Sequence, residues 1–280
     1  MFFQPAIGTG GYTGWRILES TEARQREVFE KSPVLARDID YFRENIANAT
    51  SAEDLVKDRR LLTVALGAFG LGDEINKQAF VQKILEEGTA DEDSFANRLN
   101  DERFKEMTEA FGYGDGTGAL NVADPLFVED VVARYKTLEF ERAVGETDND
   151  MRLAMNFRRE IAKIANEDVT DTTAWFRIMG QQPLREVLAT AFNIPDAVSQ
   201  LDIDRQQEIF ADKANQLLGD SSPKVFEDPD VVNDMIRRFF LSRQLENGPS
   251  PTTPGFAALT LLQNSSLGGQ ATANLLLSQI

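Results

Sequence analysis

Two stretches of this chain carry the same helical pattern: Leu61–Asp73 is LLTVALGAFGLGD and Leu184–Asp196 is LREVLATAFNIPD. In each stretch, apolar residues recur at i, i+3, i+4, i+7 and i+8, which places them on one face of an α-helix. Each helix is followed by a residue that tolerates the left-handed conformation, Gly70 or Asn193, and then by an apolar residue placed to fold back onto the last turn. The closing aspartate of each stretch suits the start of another helix. The repeated pattern therefore predicts a helix, its stop and the beginning of the next helix.

Weaker similarity extends this match in both directions. The order and character of the residues are kept between 15–116 and 124–246, which predicts an internal duplication of a helical unit. The alternative is that amphipathic helices resemble one another by composition alone. The clearest matched positions outside the repeated stretch are Ala23 with Ala133, Tyr41 with Asn156, Met107 with Met235, and Phe111 with Phe239.

Helix-forming residues dominate the chain, and alternating β patterns are scarce. We therefore expect an all-α fold of about ten or more helices that pack antiparallel in two duplicated halves. Ser51–Asp54 predicts a capping box, Pro183 suits a first helical turn, and Gly88 and Gly219 are expected to end helices. The aromatic residues at helical spacing are expected to pack in the core; they are Phe69, Phe111, Phe192 and Phe239.

The predicted organisation has five parts: an irregular N-terminal arm (1–14), a first helical half (15–116), a glycine-rich linker (117–123), a second helical half (124–246), and a proline-rich break with a C-terminal tail (247–280). Charged residues make up 27% of the chain, yet the tail contains none. Either the two termini pack on the protein's own core, or they contact a partner or a second subunit. Under the second interpretation the partner-contact candidates are Trp15, Phe256, Leu259 and Leu262.

The composition excludes several kinds of active site. The chain has no histidine and no cysteine, so it cannot form a Ser-His-Asp triad, a thiolate nucleophile or a sulfur-ligated metal site. The glycine-rich GTGG at Gly8 and GYGDGTG at Gly112 lack phosphate-loop and dinucleotide-binding spacing and are predicted to be flexible joints. The segment DGTGALNVAD lacks the calcium-loop pattern and its terminal glutamate. No catalytic, cofactor-binding or metal-binding residue is assigned, and no cofactor is expected.

The net charge of −17 disfavours nucleic acid and anionic lipid as partners. No run of residues approaches the roughly 18 apolar residues that span a bilayer, so we expect no membrane span. The N-terminus has neither a basic region nor a sustained apolar region of the kind found in secretory signals. A cytoplasmic protein is therefore expected.

Four stretches follow one another along the chain: GYTGWRILESTEARQREVFEKSPVLARDIDYFRENI, SAEDLVKDRRLLTVALGAFGL, LEFERAVGETDNDMRLAMNFRREI and WFRIMGQQPLREVLATAFNIP. In this order they resemble an uncharacterised bacterial domain family that is often linked with flagellar gene clusters. The resemblance covers the chain from about Gly10 to Leu245. It implies a structural, assembly or export-related component made alongside the flagellum, and it supplies no catalytic residue. Export through the flagellar apparatus is the alternative to a cytoplasmic location.

Two classes of function remain open. The first is a non-enzymatic helical scaffold or interaction protein that binds protein partners, flagellar components among them, or associates with itself through the C-terminal tail. The second is a carboxylate-dependent or divalent-metal-dependent enzyme, or a small-ligand sensor, that uses a groove between the two halves. The absence of histidine, cysteine and any recognised catalytic motif favours the first class.

Overall fold

The computed structural model describes residues 5–8, 10–99 and 101–247. Within these ranges the chain forms fourteen α-helices and no strand, so the prediction of an all-α fold with ten or more helices is confirmed. None of these helices is long and apolar enough to cross a bilayer. In chain order the helices are α1 (Gly11–Glu30), α2 (Pro33–Asn45), α3 (Ala52–Lys57), α4 (Arg59–Ala68), α5 (Gln78–Glu87), α6 (Phe95–Arg98), α7 (Glu102–Phe111), α8 (Gly118–Asn121), α9 (Pro125–Gly145), α10 (Asn149–Ala165), α11 (Asp171–Gly180), α12 (Gln182–Ala191), α13 (Ile203–Leu218) and α14 (Pro229–Asn247).

The two repeated stretches end in the same way. Gly70 has φ 70° and Asn193 has φ 53°, and Asn193 is the one non-glycine residue with positive φ in the described chain. In both stops the next amide donates to the carbonyl five residues back at 2.8 Å, as in a Schellman motif: Leu71 to Leu66, and Ile194 to Ala189. A 3-10 helix follows each stop, Gly72–Asn76 and Asp196–Gln200. The predicted helix stops are confirmed.

Other predicted helix ends are also confirmed. Ser51 and Asp54 form a reciprocal capping box at the start of α3, with N–O distances of 3.1 and 3.2 Å. Pro183 lies in the first turn of α12. Gly88 and Gly219 are the residues at which α5 and α13 end, both with positive φ.

One continuous core runs from Ile7 to Phe240 and includes residues of both predicted halves. The four aromatic residues expected in the core are all buried, with at most 5% of their surface exposed. Trp175 is fully buried, packs edge-on against Phe226 at 6.2 Å, and donates its indole N–H to the Ser221 carbonyl oxygen at 2.9 Å. Burial of these rings, together with the aliphatic residues of the same core, stabilises the fold.

The same order of helix contacts occurs twice along the chain, with one difference from the residue pairing predicted from the sequence. α2 packs on α4 and α10 packs on α12, while α4 packs on α9 and α12 packs on α14. α7 instead packs mainly on α5, α6 and α8. The helix that packs on α4 as α14 packs on α12 is therefore α9. The pairing of Met107 with Met235 had suggested α7 for this role. The internal duplication itself stays a prediction.

The glycine-rich segment differs from the flexible joint that we predicted. The amides of Thr89 and Ala90, just beyond α5, both donate to Oδ1 of Asp115 at 3.0 Å. The Tyr113 hydroxyl donates to the Ala49 carbonyl oxygen at 2.7 Å, and burial raises the pKa of this tyrosine. The predicted linker 117–123 contains helix α8. Because these bonds join the segment to the residues that follow α5 and to Ala49, which lies between α2 and α3, it is held in place.

Candidate interaction surface

The last turns of α14 present two leucines to solvent. Leu241 is 43% exposed and Leu245 is 84% exposed. They are one turn apart on the same face of the helix. Isolated exposed apolar residues are common on protein surfaces, but here two share one face directly before the uncharged residues 247–280. We refer to Leu241 and Leu245 as the α14 leucine face.

The opposite side of α14 is fixed to the core. Its buried stripe includes Val232, Met235, Ile236, Phe239 and Phe240. Leu241 and Leu245 follow this stripe in sequence but point about 100° or more away from Phe240, because each residue turns an α-helix by about 100°. Neither leucine is among the partner-contact candidates predicted from the sequence. The signal was present, since they fall outside the i, i+3, i+4, i+7 pattern that defines the buried face.

Arg243 anchors the end of α14 through acidic residues of other helices. Its guanidinium pairs with Glu186 of α12 and lies 3.4 Å from Asp150 of α10 and from Glu246 of α14 itself. Burial raises the pKa of Asp150, and the attraction of Arg243 offsets only part of that rise. Arg243 lies about 200° around the helix from each neighbouring leucine. The ion pairs therefore hold α14 with the leucine face turned outward.

Trp15 lies in the α1–α14 interface. This predicted partner-contact candidate is 2% exposed, and its ring centroid lies 5.8 Å from that of Phe240. The Arg158 guanidinium lies 5.2 Å from the ring. Trp15 thus packs on its own chain. The other three candidates, Phe256, Leu259 and Leu262, lie outside the described residues.

A shallow recess of about 440 Å³ lies between α1 and α9, two helices that belong to different predicted halves. Its charged residues are paired with one another or with neighbouring side chains. Lys136 lies 2.8 Å from Glu30, and Arg43 makes a bidentate pair with Glu129 at 2.6 and 2.7 Å. The Arg26 guanidinium lies 4.6 Å from the Phe140 ring centroid. The arrangement is an ion-pair network that joins α1 and α2 to α9.

A smaller recess of about 160 Å³ is lined by oxygen-bearing side chains, including Asp54 and Asp58. Both carboxylates already serve the backbone: Asp54 closes the α3 capping box, and Asp58 accepts from the amides of Arg60 and Leu61 at 2.9 and 3.1 Å. Throughout the described ranges, no three candidate metal ligands of the His, Cys, Asp or Glu type lie together.

Comparison with known proteins places this fold among relatives without assigning its chemistry. The chain is similar to the X-ray crystal structure of protein AGR_C_984 from Agrobacterium tumefaciens, with a TM-score of 0.70 and 29% identity. The alignment covers 88% of this chain and 98% of that one. Among curated proteins, none matches the chain. A family model described as "protein of unknown function (DUF1217)" matches residues 68–232, more than half of the sequence, and the chain therefore belongs to this family.

Proposed function

We propose that this chain is a non-enzymatic helical interaction protein whose partner surface includes the α14 leucine face and the uncharged residues that follow it. The observation that carries the proposal is the exposure of Leu241 and Leu245 on a helix that is otherwise firmly anchored. Apolar side chains presented together at the end of a fixed helix offer binding energy with little ordering cost.

A rigid support favours a scaffold role. The Arg159 side chain of α10 pairs with Glu141 of α9, and Arg243 joins α14 to α10 and α12. Such cross-helix pairs, together with the continuous core, hold the candidate surface in one geometry. A partner would then meet a surface that needs little rearrangement before binding.

The family resemblance supports a role beside the bacterial flagellum, as a structural, assembly or export-related component. Trp15 is already used within the protein, so the C-terminal candidates Phe256, Leu259 and Leu262 are the better partner contacts. The cytoplasm is the proposed location, and export through the flagellar apparatus is the alternative.

Co-purification from native cells tests this proposal. The full chain, a variant lacking residues 248–280, and the double variant Leu241→Ser with Leu245→Ser would each serve as bait under identical conditions. Leu217→Ser on α13 is the matched control, because Leu217 is 39% exposed and α14 packs mainly on α1, α10 and α12. We expect the control to keep the flagellar partners and both test variants to lose them. Unchanged recovery of every partner by both test variants would remove this surface from the proposal.

The alternative function is an enzyme or a small-ligand sensor that uses the recess between α1 and α9. Its specific support is the recess itself, which lies at the junction of the predicted halves and is lined by the carboxylates of Glu30 and Glu129 as well as by Arg26 and Lys136. A thermal-shift screen against Mg²⁺, Mn²⁺ and Ca²⁺ checks the metal-dependent version, because a ligand that binds the native state raises its stability. An unchanged melting temperature with all three ions would reject it.

A further inference from the structure

The exposed side of α14 continues past the leucine face toward the start of the helix. Arg238 lies three residues before Leu241 and seven before Leu245, which places the three side chains within about 60° of one another around the helix. Arg237 lies one turn before Leu241, about 40° to the other side. The side chain of Arg237 is 54% exposed and that of Arg238 is 37% exposed. Both guanidinium groups therefore border the leucine face at its N-terminal end.

These two arginines share a single carboxylate. Asp234 lies 2.7 Å from Nε of Arg238 and 3.7 Å from Nε of Arg237. Within the described ranges, no other acidic side chain lies within ion-pair distance of either arginine. The N-terminal border of the leucine face thus has one positive charge in excess, on a chain whose net charge is −17.

The charges nearest to a docked partner matter most for its binding. At physiological ionic strength the Debye length is about 8 Å, so side chains that contact this face respond to the two guanidinium groups more strongly than to carboxylates on the far side of the molecule. An acidic side chain placed beside Arg237 and Arg238 gains a charge-assisted hydrogen bond, whereas a basic side chain is repelled.

We propose that the partner of the α14 leucine face is an amphipathic helix whose apolar contact residues lie one and two turns from an acidic residue. This inference rests on the proposed function, because it specifies the chemistry of the partner at the same surface. A helical rise of about 1.5 Å per residue places Arg238 about 10 Å from Leu245 along α14. A partner helix that lies alongside α14 spans the same distance with residues at i, i+4 and i+7. Its acidic residue pairs with an arginine, and its two apolar residues contact the leucines.

Two other occupants match this face less well. Residues 248–280 of the same chain contain no acidic side chain, so they offer the arginines no carboxylate of this kind. A second copy that pairs through its own leucine face brings a second set of surplus arginines. The carboxylates that border that face, Asp234 and Glu246, are already engaged by arginines of their own helix. The charge pattern therefore favours a different protein with an acidic amphipathic helix.

Fluorescence anisotropy with labelled peptides tests the inference on the full-length chain. Each probe is an otherwise uncharged peptide of about 18 residues, long enough to be helical, with leucines four and seven residues after one variable position. That position is glutamate, glutamine or lysine, so the probes differ by one side chain only. We expect the glutamate peptide to bind about fivefold more tightly than the glutamine peptide, which corresponds to one exposed ion pair. The lysine peptide should bind most weakly.

Charge reversal on α14 gives the matched comparison. In the double variant Arg237→Glu with Arg238→Glu, the order should invert, so that the lysine peptide binds most tightly. The control is Arg205→Glu with Lys213→Glu on α13, which changes the net charge of the chain by the same amount. Arg205 is 59% exposed and pairs with Glu208 of its own helix, and α13 packs mainly on α11. The control should keep the order of affinities that the natural protein shows.

The double variant Leu241→Ser with Leu245→Ser separates this inference from the proposed function. If that variant loses all peptide binding while the natural protein binds the three peptides equally, the leucine face stays a partner surface and the acidic helix is overturned. Failure of the natural protein to bind any of the peptides would also overturn the inference, and co-purification would still decide the proposed function.

Two further results would assign the face to another occupant and would likewise overturn the inference. In sedimentation experiments, a dimer that is lost in the leucine double variant would make a second copy the occupant. Peptide binding that begins only when residues 248–280 are removed would make the chain's own tail the occupant.

Discussion

Arg159 donates two hydrogen bonds to Glu141, from Nε to Oε1 at 2.8 Å and from Nη2 to Oε2 at 3.0 Å. This bidentate pair joins α10 to α9, and Glu141 is 4% exposed. An ion pair that is held this tightly between two helices fixes their relative position by geometry as well as by charge.

We expect Glu141→Ala to destabilise the fold by about 1–2 kcal/mol, because the buried bidentate pair is lost while Arg159, which is 25% exposed, keeps Glu160 as a second partner. The control is Glu146→Ala on the same helix, since Glu146 pairs with Arg142 but its side chain is 65% exposed. That change should cost less than about 1 kcal/mol. Urea unfolding of the three proteins measures the difference, and equal losses in the two variants would show that the buried pair has no special weight.

The helix stop at Gly70 gives a separate prediction. Its φ of 70° is unfavourable for any residue with a Cβ. The nearest atom to an added Cβ would be Arg103 Nη1 at 3.5 Å, an ordinary contact, so the cost of Gly70→Ala comes from the backbone. We expect a loss of about 1–2 kcal/mol.

Gly72→Ala, two residues further along, is the matched control. An added Cβ there meets no atom within 4 Å, and its φ is not in the left-handed region. Thermal unfolding should show a lower melting temperature for Gly70→Ala than for Gly72→Ala. Equal melting temperatures for the two variants would show that the left-handed conformation of Gly70 does not stabilise the fold.

Glu22 of α1 predicts a pH dependence. Burial would raise its pKa, but the guanidinium groups of Arg158 and Arg26 hold the pKa below its ordinary value. A depressed pKa in the folded state gives stability that is complete above the pKa of the unfolded chain, about 4.3, and that is lost as the pH falls through the folded value. The stability of the natural protein should therefore fall below about pH 4.3.

Glu22→Gln should lose about 1–2 kcal/mol at neutral pH and show a shallower loss of stability in acid. Glu27→Gln, on the same helix, alters an exposed pair with Lys31 and serves as the control. Urea unfolding at a series of pH values between neutral and acid checks both. Parallel curves for Glu22→Gln and the natural protein would contradict this account.

Local helix signals were readable from the sequence. The stops at Gly70 and Asn193 and the Ser51–Asp54 capping box depend on residues that lie within a few positions of one another, so a single stretch contains the whole cause. Which helices pack against each other cannot be predicted from one local stretch. α7 and α14 both carry methionine and phenylalanine four residues apart, and any amphipathic helix can show that spacing. Which neighbour receives the apolar face is decided by contacts between distant segments, which place α9 beside α4.

Only part of the candidate surface could be predicted from the sequence, for the same reason. The uncharged C-terminal residues stood out by composition, whereas the exposure of Leu245 depends on how Arg243 and Phe240 orient α14. For the glycine-rich segment, composition led to the wrong prediction. Its composition predicted a flexible joint, but the Asp115 carboxylate accepts from amides that lie about 25 residues earlier in the chain, and no local pattern reports such a bond.

A substitution of Trp15 distinguishes the two interpretations of the N-terminus, packing on the protein's own core or contact with a partner. The ring is 2% exposed and packs on Phe240, so Trp15→Ala should cost about 3–5 kcal/mol through the cavity that it leaves between α1 and α14. Val28→Ala on the same helix is the control, because Val28 is 58% exposed and its truncation should change stability by less than about 0.5 kcal/mol. Urea unfolding and partner capture would be measured on the same preparations. A Trp15→Ala protein that keeps its full stability but loses its partner would make Trp15 a contact residue rather than part of the core.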